Sequence, residues 1–175
     1  MQNTVSPSVS TPDLTPDAQY NLAIMYATGR DVVQDEQQAV VLFLKAAEQG
    51  YAEAQHGLAV MYENGLGVGQ DFELALTWYL KAAEQGLADA RLDLGCLYYK
   101  GEGITRDFGH AFTWFSKAAK QGLADAQFNI GVMYAKGQGI TKNQGQAVAW
   151  FRKAAAQGHK GARKNLRILG DLIES

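Results

Sequence analysis

Residues 53–87 read EAQHGLAVMYENGLGVGQDFELALTWYLKAAEQGL, and this stretch decides the fold. Ala54, Leu58, Met61 and Tyr62 fall at helical spacing within residues 53–64, which predicts a short amphipathic helix, helix A. The glycines of GLGVGQ supply the positive-φ conformations that end this helix and reverse the chain. Asp71 stands where an N-cap belongs. Residues 72–85 then place Ala75, Trp78, Tyr79, Ala82 and Ala83 on one side of a second helix, helix B. Gln85-Gly86 closes it, with Leu87 positioned to fold back on the last turn.

The same unit recurs every 36 residues. Ala18, Ala54, Ala90, Ala126 and Ala162 share one register, and Tyr26, Tyr62, Tyr98 and Tyr134 another. Lys-Ala-Ala returns at Lys45, Lys81, Lys117 and Lys153, and Gly50, Gly86, Gly122 and Gly158 close the units. Asp35, Asp107 and Asn143 repeat the cap of Asp71. A strict period of this length marks a solenoid, in which each unit buries its apolar face only against its neighbours. The expected organisation is a Ser/Thr/Pro-rich flexible tail over residues 1–16, repeats at 17–52, 53–88, 89–124 and 125–160, and a capping helix at 162–175. That last segment is apolar at Leu166, Leu169, Leu172 and Ile173 and charged elsewhere, as an open stack requires of a native end.

The units resemble Sel-one-like repeats, relatives of the tetratricopeptide repeat with a slightly longer period. The likeness rests on the concurrent Ala, Tyr, Gly-x-Gly, Trp and Lys-Ala-Ala registers over residues 17–160. It departs at Asp31 for the second loop glycine, Leu42 for the helix-B Trp and Asn143 for Asp, which suggests a looser first unit. The resemblance implies an all-α, right-handed α/α solenoid superhelix that serves as a bacterial adaptor or scaffold binding protein partners, without enzymatic activity. One branch of that family carries a disulfide in each repeat and is associated with penicillin-like compounds. This chain, with Cys96 alone, lacks those cysteines, and the activity is not carried over.

Composition narrows the function further. Residues 1–90 carry twelve acidic against three basic residues, net −9, and residues 91–175 six against thirteen, net +7. An elongated stack turns that division into an acidic end and a basic end. No stretch approaches the roughly 18 apolar residues of a membrane span, and no secretory signal is visible. A cytoplasmic protein is expected, or a periplasmic or secreted one whose signal has been removed. No catalytic motif emerges, and GLGVGQ follows a helix where a nucleotide-binding glycine loop follows a strand. The three histidines sit in three different registers, and one cysteine cannot build a thiolate metal cluster, so no metal or cofactor is expected.

Helix A is expected to line a concave groove, with four ladders facing it. Tyr20, His56, Leu92, Phe128 and Lys164 form the first, and Ile24, Val60, Cys96 and Val132 the second. Ala27, Glu63, Tyr99 and Ala135 form the third, and Thr28, Asn64, Lys100 and Lys136 the rim. The first ladder reads equally as internal packing, whereas Glu63, Tyr99, Lys100 and Lys136 read as partner-binding. Two further functions compete with the groove. A homo-oligomer could assemble head to tail through the opposite charges, or the basic cap around Arg163, Lys164 and Arg167 could hold an anionic polymer or surface. Specific nucleic-acid recognition is disfavoured by the lack of aromatic interleaving. Val5, Val9 and Leu14 of the tail could also occupy the groove in cis.

Overall fold

The computed structural model describes residues 14–171. Within them the chain forms α1 (Pro16–Thr28), α2 (Glu36–Glu48), α3 (Ala52–Asn64), α4 (Phe72–Glu84), α5 (Ala88–Lys100), α6 (Phe108–Lys120), α7 (Ala124–Lys136), α8 (Gln144–Ala156) and α9 (Lys160–Asp171), and no strand. Each helix packs chiefly on its neighbours in sequence, so the fold is an all-α solenoid of helix pairs with a final unpaired helix. Residues 1–13, with Val5 and Val9, and Leu172 and Ile173 lie outside the described residues.

The ends of each helix follow from local chemistry. The carboxylates of Asp35, Asp71 and Asp107 and the amide oxygen of Asn143 accept backbone N–H bonds of 2.9–3.0 Å from the first turns of α2, α4, α6 and α8. Such caps satisfy donors that a helix start otherwise leaves unpaired. Helix B stops at Glu84, one residue short of expectation, because Gln85 donates to Ala83 and Lys81 as the C-cap. Gly86 then takes φ 102°, its N–H donates to Ala83 O and that of Leu87 to Ala82 O. This is a Schellman motif, and it turns the chain into α5.

Alanine and aromatic registers divide the core. Ala54, Ala82, Ala90, Ala118, Ala126 and Ala154 are fully buried, which lets helix axes approach closely. Phe43, Tyr79, Phe115 and Phe151 share one register on the B helices and are buried between each pair. Facing them on the A helices stand Ala23, Ala59, Gly95 and Gly131. A Cβ at Gly95 or Gly131 would come within 2.5 or 2.6 Å of the ring of Phe115 or Phe151, so the last two pairs sit closer together than an alanine permits. Arg167 occupies that same register on α9 and is exposed. The four earlier A helices carry only alanine or glycine at that register.

Departures from the repeat are position-specific. The second loop glycine of units two to four takes φ of 67–68°, and a Cβ there would strike the start of the preceding B helix. At Gly67 it would meet the backbone of Glu36, at Gly103 the ring of Phe72, and at Gly139 the carbonyl of Phe108, each well inside 3.0 Å. Asp31 adopts the same conformation, φ 63°, but is exposed and meets no preceding helix among the described residues. Glycine is demanded by the inter-repeat junction, and the loop of the first unit tolerates Asp for that reason.

Candidate binding wall of the A helices

The odd-numbered helices stand side by side. Nε2 of His56 on α3 lies 2.7 Å from Oδ2 of Asp93 on α5, and the ring of Phe128 on α7 stacks at 4.4 Å on His159, which precedes α9. The side chains of this row form one wall, and each predicted ladder has a definite place on it.

Apart from Lys164, the first ladder is half-buried and packs mostly within its own repeat, with His56 and Leu92 reaching into the next. Tyr20 packs on Phe43 and Tyr51 at 5.9 and 5.4 Å, and burial pushes its hydroxyl pKa upward. His56 packs on Tyr79 at 5.7 Å, Leu92 against the cluster around Ile130 and Phe115, and Phe128 on Phe151 at 5.7 Å. Lys164 is exposed. Aromatic pairs at these separations stabilise the stack beyond their area alone.

Ile24, Val60, Cys96 and Val132 are half-buried in the second ladder, which continues to Ile168 on α9, 47% exposed. Burial pushes the Cys96 thiol up to about 11, with the nearby Asp93 carboxylate adding and the Lys100 ammonium opposing. Its contribution to stability therefore holds below about pH 9 and declines as pH rises toward 11, because the unfolded chain releases its proton first. Iodoacetamide at pH 9 is expected to alkylate folded Cys96 roughly 50-fold more slowly than the urea-unfolded chain, reflecting the smaller thiolate fraction. Equal rates measured by mass spectrometry would contradict this environment.

Glu63 does not stand free. Tyr79, only 1% exposed, is the one tyrosine in a register of phenylalanines, and its hydroxyl donates to Oε2 of Glu63 at 2.6 Å. Burial, then this bond, pushes the Tyr79 pKa far upward. Tyr99 lies edge-on to Phe108 at 5.2 Å, and its hydroxyl donates to Gln138 at 2.9 Å in the next repeat. On the rim, Thr28 and Asn64 donate back to Ile24 O and Val60 O, Lys100 lies 3.8 Å from Glu102, and Lys136 is exposed. In the basic cap Arg163 donates to Ala155 O at 3.4 Å, while Lys164 and Arg167 are exposed.

At the α9 end the wall opens into a cleft of about 340 Å³. Val132, Ala135 and Lys136 of α7, Phe151 of α8, and Asn165, Ile168 and Leu169 of α9 line it. This is at the small end of ligand-pocket sizes, roughly 300–1,000 Å³.

Sequence reasoning missed a polar ladder. Gln49, Gln85 and Gln157 donate to the side-chain oxygens of Gln19, Gln55 and Gln127 at 3.0, 2.8 and 2.9 Å. Gln55 and Gln127, both buried, donate onward to the carbonyls of Ala47 and Ala119 in the previous repeat. In the third unit Arg91 takes the same place, donating to Ala83 O and to Gln121. The signal was present, since these residues recur at 36-residue spacing. Lys81, Lys117 and Lys153 also cover Trp78, Trp114 and Trp150 at 3.7–4.1 Å, which gives the repeated Lys-Ala-Ala lysine a packing role.

No group of three His, Cys, Asp or Glu side chains among the described residues could hold a metal ion. Nor is any described helix long and apolar enough to cross a membrane.

Comparison with known proteins agrees with this architecture. The Sel1 repeat matches residues 16–51, 52–87, 88–123 and 124–159. The chain is 39% identical to a protective antigen present in uropathogenic Escherichia coli strains that displays an SLR fold, with a TM-score of 0.82. That alignment covers 84% of this chain and 32% of the antigen. A Sel1 repeat protein from Oxalobacter formigenes is 41% identical over 89% of this chain and 45% of its own, TM-score 0.79. The chain thus spans less than half the length of either. Helicobacter pylori cysteine rich protein B is 25% identical over 76% of this chain and 96% of its own, TM-score 0.60. Among curated proteins, none matches. With four contiguous repeats covering residues 16–159, the chain belongs to the Sel1 repeat family, whose members are generally scaffolds for protein interaction.

Proposed function

We propose that the A-helix wall holds an extended peptide or a single helix from a partner protein. The supporting observation is the second ladder: Ile24, Val60, Cys96, Val132 and Ile168 form a half-exposed apolar strip, flanked by the exposed Asn64, Lys100 and Lys136. A strip of this kind offers buried anchors while the rim sets orientation and encounter rate. The first ladder contributes mainly rigidity, since its rings are already packed against the A/B helix pairs. Glu63 supports the wall through Tyr79 and is a weaker candidate for direct contact than its sequence position suggests.

Replacing Asn64, Lys100 and Lys136 together by Gln tests the reading with little cost to folding, because all three are exposed and no carboxylate is placed at a helix C-terminus. Capture from the native host is expected to lose, by tenfold or more, a protein that the parent chain retains, at an unchanged unfolding midpoint. Undiminished capture would count against the wall, as would turnover of a small molecule by purified protein that captures nothing.

The charge division supports a second reading, head-to-tail association of copies. The described stack ends in α9, an A helix without a B partner, so a second copy placed after it would not reproduce the junctions between repeats. A particle mass by light scattering that falls as salt rises would support a looser, charge-driven contact.

A further inference from the structure

We infer that the cleft between α7 and α9 takes an aliphatic side chain of a partner segment flanked by acidic residues. This rests on the wall reading and specifies one end of it. Phe128 at the start of α7 lies beside His159 and Gly161 at the start of α9, while Val132, Ala135 and Lys136 face Asn165, Ile168 and Leu169 further along. The two helices therefore run parallel; Lys136 lines one end of the cleft, and helical spacing places Lys164 beyond the other end, outside the lining. Lys136 follows Val132 by four residues toward one end, and Lys164 precedes Ile168 by four toward the other.

The floor and sides between these lysines are apolar, with the Asn165 amide as the further polar group. Among the side chains of residues 14–170, neither Lys136 nor Lys164 has an ion-pair partner. The nearby Asp125 carboxylate is occupied, 3.1 Å from Nε2 of His159. The half of the chain that carries the cleft has a net charge of +7. A basic occupant would meet two ammonium groups, and a wholly apolar one would leave both without partners. An acidic–aliphatic–acidic segment seats one aliphatic group in the cleft and a carboxylate at each end.

Selection from a random peptide library displayed on phage, against the immobilised full chain, tests this without a known partner. The expected result is enrichment of Leu, Ile or Val with Asp or Glu on both sides, and at least tenfold weaker binding of synthetic versions to Ile168→Asp. Ile168 is 47% exposed, so that substitution leaves folding intact, which a thermal melt verifies. Lys136→Glu with Lys164→Glu is expected to shift the selected flanks from acidic to basic. Peptides that bind equally well to Ile168→Asp, but are lost in the Asn64, Lys100 and Lys136 triple variant, would overturn the cleft assignment and leave the wall standing. Enrichment of basic flanks by the parent chain would also overturn it. Failure to enrich any peptide would overturn the cleft and the wall together. If removal of residues 172–175 strengthens peptide binding tenfold or more, the chain's own end is the occupant and the partner assignment falls.

Discussion

Gly139→Ala is expected to destabilise the protein by roughly 2–5 kcal/mol, combining a left-handed conformation for a non-glycine residue with overpacking at a repeat junction. Gly139 takes φ 68°, and its Cα faces the carbonyl of Phe108, the first residue of α6. An added methyl has no flexible side chain to push aside, because the obstacle is backbone. The junction between the third and fourth units must open or the loop must refold. In a linear stack such a lesion stays local, so amide exchange should rise across α7, α8 and α9 while α1 to α4 keep their protection. Asp31→Ala, at the same register and φ, should shift stability by less than about 1 kcal/mol, since the residue there already bears a Cβ with nothing against it. Urea unfolding of the two variants decides the matter. A Gly139→Ala midpoint equal to that of Asp31→Ala would refute the junction account.

The second large effect lies on the wall. Glu63→Ala should cost roughly 1–3 kcal/mol, because it removes the acceptor of a hydroxyl on a side chain that is 1% exposed. Tyr79→Phe alone should cost less, since the Glu63 carboxylate is only half-buried and water can solvate it. The double variant places Ala opposite Phe, the combination already found as Ala27 with Phe43 and Ala135 with Phe151. It should recover most of the loss in Glu63→Ala, giving a coupling energy of about 1 kcal/mol or more in a double-mutant cycle. Additive effects would mean that the 2.6 Å bond contributes little and that Glu63 is available to a partner after all.

These two cases mark the boundary of what a single chain discloses. Helix positions were legible because their causes lie within a few residues: Asp71 caps α4 through its own first turn, and Gly86 closes it through the last one. The solenoid was legible because each unit repeats those local causes at a constant spacing. The rings that Gly95 and Gly131 admit, Phe115 and Phe151, are decided by the packing of each helix pair and not by local sequence.

The candidate site was less legible, for a physical reason. A register tells which side of a helix a residue occupies, but not whether a neighbour 16 or 37 residues away already uses its polar atoms. Glu63 reads as a free rim acid and is the partner of Tyr79; His56 reads as groove-facing and is held by Asp93. The Gln19, Gln55 and Gln127 ladder is hard to read from sequence because glutamine carries neither charge nor catalytic chemistry, although burial makes each amide consequential.

What the amino-acid order determined alone was the period, the caps and the class of architecture, since helices and turns answer to near neighbours and every unit repeats the same instructions. What only the tertiary structure decided was which wall residues are consumed by packing, why Asp31 is tolerated where later units need glycine, and where α7 and α9 part to leave a cleft. Those outcomes depend on distances between segments that the period brings into register but does not itself measure.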